Sequence, residues 1–334
     1  MIQKKWAASI ALTGVLTTVI GLSVPATSWA AATSPLQGSH SETYYMVTFL
    51  SGIEYWKGPF AGMQAAGKLL NVNTQYTGGP QYDINQEVTV LQQVIAKKPA
   101  GILLTSINAQ ALQPVINQAI KQGIPVISFD SDSPNSNRYA YLGTSNQEAG
   151  SIAAKYLGKQ LNGKGQVAVV TTPGELNLDQ RAQGFEAEMK TDFPGIQVVG
   201  VENGNSDQIK TAQVTSTLLQ KYPKLSGIFA TEADEGTGVA TAVKEAHLTG
   251  KVKIVSFDTD KATLQQVKAG EISATIAQGT WNMGFWGLMD AFMVHHDLLH
   301  PVSDWKTANV DPVPPSVDTG VTVITKQNVG YYLK

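Results

Sequence analysis

The sequence predicts an α/β fold of two doubly wound parallel-sheet domains of similar topology, on three observations. Strand-like segments alternate with helix-like segments along most of the 334 residues, which is typical of parallel sheets with helices on both faces. The strand-like segments are mostly continuous apolar runs, as expected where both faces of a strand are buried. Two near copies of one segment, VISFDSD at Val126–Asp132 and IVSFDTD at Ile254–Asp260, stand at corresponding places in two successive halves. We therefore expect a repeated α/β unit whose halves are joined by short crossing strands rather than by a flexible linker.

The first half alternates in a regular order, and its helices carry local signals. Pro59 suits the first turn of a helix, where its missing N–H is not needed, and that helix runs to about Leu70. The next helix has apolar residues at helical spacing, among them Ile84, Val88 and Leu91. The predicted elements are strand Tyr44–Phe49, the helix to Leu70, strand Thr74–Thr77, helix Asp83–Lys97, strand Gly101–Leu104, helix Ala109–Gln122, strand Pro125–Phe129 and strand Tyr139–Leu142.

The second half repeats this order at similar offsets, which is why we expect the same topology twice. Its predicted elements are strand Gln166–Thr171, helix Gln180–Thr191, strand Ile196–Val201, helix Asp207–Lys221, strand Gly227–Ala230, helix Gly236–Ala246, strand Val252–Phe257 and strand Ser273–Ala277. After Leu299 a proline-rich stretch leads to a last strand, Val321–Ile324.

The first 32 residues are predicted to be a secretory signal peptide. Lys4 and Lys5 precede an apolar stretch, and the small residues around Ala30 offer a cleavage site. An uncleaved membrane anchor is the alternative, because the apolar stretch is close to the minimum spanning length. The chain has no cysteine, which excludes a lipid-modified N-terminal cysteine and any disulfide. We therefore expect an exported protein that is periplasmic or extracellular and not a lipoprotein.

Composition and motifs argue against several classes of function. A formal net charge of −2 gives no electrostatic footprint for nucleic acid and no reason for binding to anionic membranes. No histidine follows a predicted strand, as nucleophilic catalysis would need, and the glycine motifs that bind phosphates are absent from the sequence. His296 and His300 are four residues apart and His295 lies two residues before Asp297, which leaves a metal site conceivable. A solvated helix end is the favoured interpretation, and no metal or cofactor is expected.

Polar and aromatic residues gather at the carboxyl ends of the predicted strands, where open α/β sheets bind their ligands. Carboxylates accept strong paired hydrogen bonds from adjacent hydroxyls, aromatic faces suit the C–H face of a sugar ring, and glutamine supplies a donor and an acceptor. A sugar or polyol fits this set better than a phosphate or a flat apolar ligand. The candidates are Glu54, Tyr55, Trp56, Asp130, Asp132, Asn177, Asp179, Arg181, Glu232, Asp234, Phe257, Asp258 and Gln278.

Each of these candidates also has a purely structural interpretation, which stays open at this point. Phe129 and Phe257 could be core residues, and Asp130 and Asp258 could be helix caps or turn residues. Arg181 could pair with a neighbouring carboxylate and contact no ligand. It is the joint placement at strand ends that favours a binding site.

From about Tyr44 to Val329 the chain resembles the type 1 periplasmic binding proteins of the ribose- and galactose-binding group, which are substrate-binding components of ABC sugar importers. The resemblance rests on FLSGIEYW, GIPVISFDSD, RAQGF, IFATEADEGTGVATAV, VKIVSFDTD and GEISATIAQ, the last before a helix. It implies two α/β lobes joined by three crossing strands, with a sugar in the cleft between them and hinge closure around it. The lobes would be residues 43–145 with 279–316 and residues 146–278 with 317–334.

The resemblance also implies roles for single residues. Tyr55 and Trp56 stand where aromatic residues sandwich the sugar, and Glu232 or Asp234 stands near a usual Asn-Asp pair. The positions that match sugar-contacting residues of the family are Asp130, Phe257, Asp258 and Gln278.

The departures from the family pattern bear on the ligand. Ser131 and Asp132 follow the first Phe-Asp, where ribose-type relatives often place an arginine, and Asp179 stands where another arginine can occur. The cleft would thus be richer in carboxylate and poorer in arginine than a ribose site. This argues against ribose and permits another pentose or hexose, a polyol or an amino-bearing sugar.

The sequence therefore predicts a monomeric binding protein, not an enzyme, that captures a monosaccharide or polyol and delivers it to an ABC transporter permease. A chemoreceptor is a further candidate partner, and nucleic acid is not expected. An extracytoplasmic sugar sensor for a signalling receptor or histidine kinase is the alternative. A glycosidase is a third hypothesis, since Glu232 and Asp234 are paired carboxylates, but nothing around them favours it.

Overall fold

A computed structural model of the chain describes residues 36–333, which form two lobes, each built on a six-stranded sheet. The predicted signal peptide lies outside the described residues. Within residues 36–333 no helix has the length and apolar character needed to cross a membrane.

The sheet of the first lobe has the strand order β2-β1-β3-β4-β5-β11, and all its pairings are parallel. Its strands are β1 (Thr43–Thr48), β2 (Asn73–Gly78), β3 (Gly101–Leu104), β4 (Val126–Phe129), β5 (Ala140–Gly143) and β11 (Ser316–Asp318). The two strands at its centre, β3 and β4, are wholly buried, which explains their continuous apolar sequence.

The second lobe repeats the order as β7-β6-β8-β9-β10-β12, with only the edge strand β12 antiparallel. Its strands are β6 (Gly165–Thr171), β7 (Ile196–Asn203), β8 (Leu225–Ala230), β9 (Lys253–Phe257), β10 (Ala274–Gln278) and β12 (Val321–Ile324). The predicted fold of two similar doubly wound domains is confirmed, and every predicted strand is present.

Helices flank both sheets. They are α1 (Lys57–Leu70), α2 (Ile84–Ala96), α3 (Ala109–Lys121), α4 (Asn146–Gln160), α5 (Leu176–Asp192), α6 (Gln208–Lys221), α7 (Ala233–Glu245), α8 (Lys261–Ala269), α9 (Thr280–His295) and α10 (Trp305–Ala308). The side chains of Asp83, Asn108 and Asp207 accept backbone N–H groups at the starts of α2, α3 and α6 and so cap them. The sequence did not predict α4, α8, α10 or β11.

The chain crosses between the sheets three times, from β5 to α4, from β10 to α9 and from β11 to β12. Backbone hydrogen bonds join the crossings to one another: Thr319 N donates to Gly143 O at 2.7 Å, and Gly279 N donates to Gly320 O at 3.1 Å. This is the three-strand hinge that the resemblance implied. The predicted lobe boundaries stay a prediction, and β11 lies across the expected boundary at residue 316.

Two helix pairs pack closely on glycines and set the position of the crossings. In α1 and α9, a Cβ on Gly62 would lie 2.0 Å from Trp281 O, and one on Gly284 would lie 1.8 Å from Pro59 O. In α4 and α5, a Cβ on Gly150 would lie 2.0 Å from Arg181 O. Only glycine permits such close approach of two helix backbones.

Candidate functional site

The two copies of Ser-Phe-Asp place Asp130 and Asp258 at the carboxyl ends of β4 and β9, facing the space between the lobes. Both adopt left-handed backbone conformations, with φ of 62° and 70°, which Asp tolerates better than most residues. The backbone carbonyl of Asp130 accepts from Tyr141 Oη, and that of Asp258 accepts from Thr275 Oγ1, each at 2.8 Å. The same local device therefore presents a carboxylate from each lobe.

These carboxylates line a cavity between the lobes. It encloses about 590 Å³ of space free of atoms, counting its opening to solvent. The lining residues are Phe49, Leu50, Ile53, Tyr55, Trp56, Tyr82, Asp130, Glu175, Asn177, Leu178, Arg181, Ser206, Glu232, Ala233, Asp234, Asp258, Asp260 and Gln278.

Gln278, the last residue of β10 before the crossing to α9, joins the two lobes in the cavity. Its Nε2 donates to Asp258 Oδ1 at 2.7 Å and to Tyr55 Oη at 3.0 Å. Tyr55 Oη donates in turn to Asp130 Oδ1 at 2.5 Å. One hydrogen-bonded chain thus connects the two aspartates, and a ligand that enters here meets both lobes at once.

Arg181 of α5 is almost wholly buried, and three of its nitrogen atoms donate hydrogen bonds. Its Nε donates to Asn146 Oδ1, its Nη1 to Thr231 O and its Nη2 to Gln278 Oε1, each at 2.9 Å. Its guanidinium lies 4.1 Å from the ring centroid of Phe257, a cation–π contact. Phe257 does not line the cavity, and its ring instead supports the guanidinium of Arg181.

An aromatic wall closes one side of the cavity. Trp56 is 2% exposed, and its indole Nε1 donates to Leu50 O at 2.7 Å. Tyr55 meets Trp56 edge-on at 4.8 Å between ring centroids, and Phe49 meets both Trp56 and Tyr82 edge-on at 5.4 and 5.3 Å. The wall is rigid because each ring is fixed by its neighbours.

The sequence did not predict Tyr82 or Glu175, which form a direct bond between the lobes. Tyr82 Oη donates to Glu175 Oε2 at 2.5 Å. Both residues follow strands, β2 and β6. The expectation that ligand-binding residues follow strand ends, which we call the strand-end rule and which gave the other candidates, could therefore have found this pair. The same holds for Ser206, after β7.

Two buried acceptor atoms at this end of the cavity have no protein partner. They are Asn177 Oδ1 and Glu232 Oε1, which make no hydrogen bond within residues 36–333. A buried acceptor without a partner is costly. A ligand that donates hydrogen bonds to these two atoms would therefore gain the most binding free energy there.

Acidic side chains outnumber basic ones in the cavity. Among the described residues that line it, Arg181 is the one cation, whereas the carboxyl side chains are Asp130, Glu175, Glu232, Asp234, Asp258 and Asp260. Burial raises the pKa of Asp258 to about 7, against the opposing effect of Arg181, and burial raises the pKa of Glu175 to about 7. Burial, with Glu235 nearby, holds the pKa of Glu232 well above its usual range.

Four predicted site residues do not line the cavity: Phe257, described above, and Glu54, Asp132 and Asp179. Glu54 lies at the rim, where its Oε2 accepts from Lys261 N at 3.5 Å. Asp132 is paired with Arg138, with 2.5 Å between Asp132 Oδ1 and Arg138 Nε. Asp179 accepts from Gly174 N near the start of α5. Their role in ligand binding stays a prediction, whereas Tyr55, Trp56, Asp130, Arg181, Glu232, Asp234, Asp258 and Gln278 are brought together as expected.

Two similar α/β lobes, joined by three crossings and enclosing a polar and aromatic cavity, define a two-lobed ligand-binding protein. Residues 44–295 match the family described as periplasmic binding protein domain. The chain belongs to this family.

Solved structures agree with this assignment. The chain is 47% identical to the sugar-binding protein of a sugar ABC transporter from Bacillus halodurans, with a TM-score of 0.81, over 87% of this chain and 99% of that one. It is also 47% identical to AraP, an arabinose binding protein from Geobacillus stearothermophilus, with a TM-score of 0.78 over the same shares of the two chains. Among curated relatives, the D-allose-binding periplasmic protein of Escherichia coli is 26% identical over 81% of this chain and 87% of its own. All three are named for binding and none for catalysis.

Proposed function

We propose that the protein captures a sugar or polyol in the cavity between its lobes and delivers it to an ABC importer. The observation that carries this proposal is the cavity itself, in which buried carboxylates of both lobes face a rigid aromatic wall. The names of the similar proteins support it, since they bind a sugar, arabinose and D-allose.

The chemistry of the cavity matches a polyhydroxylated ring. Asp130 and Asp258 can each accept hydrogen bonds from adjacent hydroxyl groups, and such charge-assisted bonds are about twice as strong as neutral ones. Arg181 and the amide of Gln278 can donate to hydroxyl oxygens. Trp56 and Tyr55 offer apolar faces to the C–H groups of the ring.

Arabinose is the first sugar to test, because the chain shares 47% identity with the arabinose binding protein AraP. The low arginine content of the cavity, where Arg181 stands among the carboxyl groups named above, supports a ligand other than ribose. An amino-bearing sugar is the competing ligand class, because the carboxylates could pair with its cation.

A sugar panel tests the binding step. Isothermal titration calorimetry and thermal shift would compare arabinose, ribose, xylose, allose, galactose, xylitol and glucosamine. We expect saturable binding of one neutral sugar per chain, with a rise in apparent stability of about 2.7 kcal/mol at a hundredfold excess over Kd. Binding of ribose alone would contradict the inference from the arginine-poor cavity, and the absence of binding by every member would contradict the proposed function.

Delivery and export need a test in cells. We expect that the protein is exported by its predicted signal peptide to a periplasmic or extracellular location, as its family name suggests. Deleting its gene would then reduce uptake of the labelled sugar. If uptake were unchanged while sugar-dependent gene expression was lost, the protein would be a sensor rather than a transport component.

A further inference from the structure

A cluster of three side chains of types that can ligate a metal lies away from the cavity between the lobes, at the end of α9. It consists of Glu42, which directly precedes β1, and of His295 and His296. One ligand atom from each residue lies within 4.8 Å of those of the other two, and His296 Nε2 lies 2.8 Å from Glu42 Oε2. None of the three lines the cavity.

The three side chains are oriented by their surroundings. The ring of His296 packs at 4.1 Å between centroids on Phe292, and that of His295 meets Tyr44 edge-on at 6.1 Å. Ser39 N donates to Glu42 Oε1 at 2.9 Å, which leaves Oε2 directed at the histidines. Outer bonds of this kind fix the ligands of protein metal sites.

The backbone near Glu42 is also fixed. Glu42 N donates to Ser39 O, and Asn73 N donates to Glu42 O, both at 2.9 Å. The backbone that carries the Glu42 carboxylate is therefore held in place by hydrogen bonds.

We propose that Glu42, His295 and His296 bind one divalent transition-metal ion of the zinc type, with water as the remaining ligand. Two imidazoles and a carboxylate suit Zn²⁺, with bonds of about 2.0–2.2 Å and therefore donor atoms about 3.3 Å apart in a tetrahedron. The present separations of up to 4.8 Å have to shorten to reach this geometry, and His295, the exposed member of the group, is the one expected to move. The negative end of the α9 dipole favours a cation here.

Such an ion would tie the segment before β1 to the end of the helix that follows the second crossing. Its effect would be on stability, because a ligand that binds only the folded state raises the free energy of unfolding. It is a different site from the one that the sequence made conceivable: His300 is not part of this group in the described part of the chain.

The test uses untagged, chelator-treated protein titrated with Zn²⁺ by calorimetry, and with Co²⁺ while the visible absorption of a tetrahedral site is followed. We expect one ion per chain and a Zn²⁺-dependent rise in Tm. His295→Ala and Glu42→Gln should each weaken Zn²⁺ binding at least tenfold and abolish the rise in Tm. His300→Ala and His247→Ala are the matched controls and should change Zn²⁺ affinity less than twofold.

The proposal is wrong if wild type binds no Zn²⁺, or if the affinity of the His295→Ala protein equals that of wild type. The exposed side chain of His295 makes misfolding no explanation for a loss in that variant. Equal losses in the His300→Ala protein would replace the proposed site by one on the following loop. Sugar affinity should be unchanged in all four variants, so the result does not depend on the proposed function.

Discussion

Asp258 shows how one residue serves both the backbone and the cavity. Its left-handed conformation, with φ of 70°, turns the chain at the end of β9, while its carboxylate accepts from Gln278 and faces the ligand space. Alanine would disturb both features, because it tolerates positive φ poorly. Asparagine keeps the shape and the left-handed conformation, so Asp258→Asn isolates the charge.

We expect Asp258→Asn to weaken sugar binding by about 10- to 100-fold, since a hydrogen bond to a charged group contributes about 1.5–3 kcal/mol. The empty protein should unfold at the same or a higher temperature at pH 8, because the variant no longer has to bury a carboxylate whose pKa is raised to about 7. Calorimetry with the cognate sugar and thermal unfolding without it measure the two effects.

Asp132→Asn is the matched control for this variant. Its carboxylate is paired with Arg138 and does not line the cavity, so sugar affinity should change less than twofold while stability falls. A large loss of sugar affinity in Asp132→Asn would show that Asp132 does belong to the binding site. Normal sugar binding by Asp258→Asn would show that Asp258 serves only to turn the backbone.

The strand-end rule predicted cavity residues well where only the local sequence mattered. It did less well where a contact with another side chain decides whether the residue lines the cavity. Asp130, Asp258 and Gln278 follow apolar runs, and they meet in the cavity. Asp132 also follows such a run, but it is neutralised by Arg138 six residues later, which no spacing rule indicates. Tyr82 and Glu175 meet only because the lobes face each other.

At the scale of elements, α4 shows why a long helix can escape prediction from the sequence. The buried face of α4 carries Ala149, Gly150, Ala153 and Ala154, so its burial comes from small residues rather than from a stripe of large apolar ones. Small residues leave weak periodicity, yet they allow α4 and α5 to approach closely. The same closeness positions Arg181 of α5 under the cavity.

Gly150→Ala should therefore damage both stability and binding. Its Cβ would lie 2.0 Å from Arg181 O, so α5 must move away, which we expect to cost about 1–3 kcal/mol of unfolding free energy and to weaken sugar binding. Urea unfolding and calorimetry provide the measurements. Gly330→Ala, where a Cβ would meet nothing within 4 Å, should leave both unchanged; equal stability of the two variants would contradict this account of the helix pair.

At the scale of the whole molecule, the lobes are linked by three crossings and by bonds across the cleft. Tyr82 donates to Glu175, and Gln278 bridges Tyr55 and Asp258. Closing the cleft therefore buries carboxyl groups together with these bonds. Such a hinge closes around a ligand when the ligand contacts both halves.

The raised pKa values give this closure a pH dependence whose sign is fixed. A hydrated Asp or Glu ionises near pH 4, whereas Asp258 and Glu175 in the closed cleft have pKa values of about 7. Between these limits the closed form holds protons that the open or unfolded form has lost. The free energy that favours closure is therefore largest below pH 4, falls as the pH rises to 7 and is then constant as far as these groups are concerned.

We accordingly expect the empty protein to be more open at pH 8 than at pH 5. Small-angle X-ray scattering should give a larger radius of gyration at pH 8, while the protein saturated with sugar should have the same radius at both, because ligand contacts to both lobes outweigh the cost of ionisation. Glu175→Gln keeps an acceptor for Tyr82 but removes one titrating group, so its change in radius between the two pH values should be smaller than that of wild type. A radius that stays constant or falls as the pH rises would show that burial of these carboxyl groups does not govern closure.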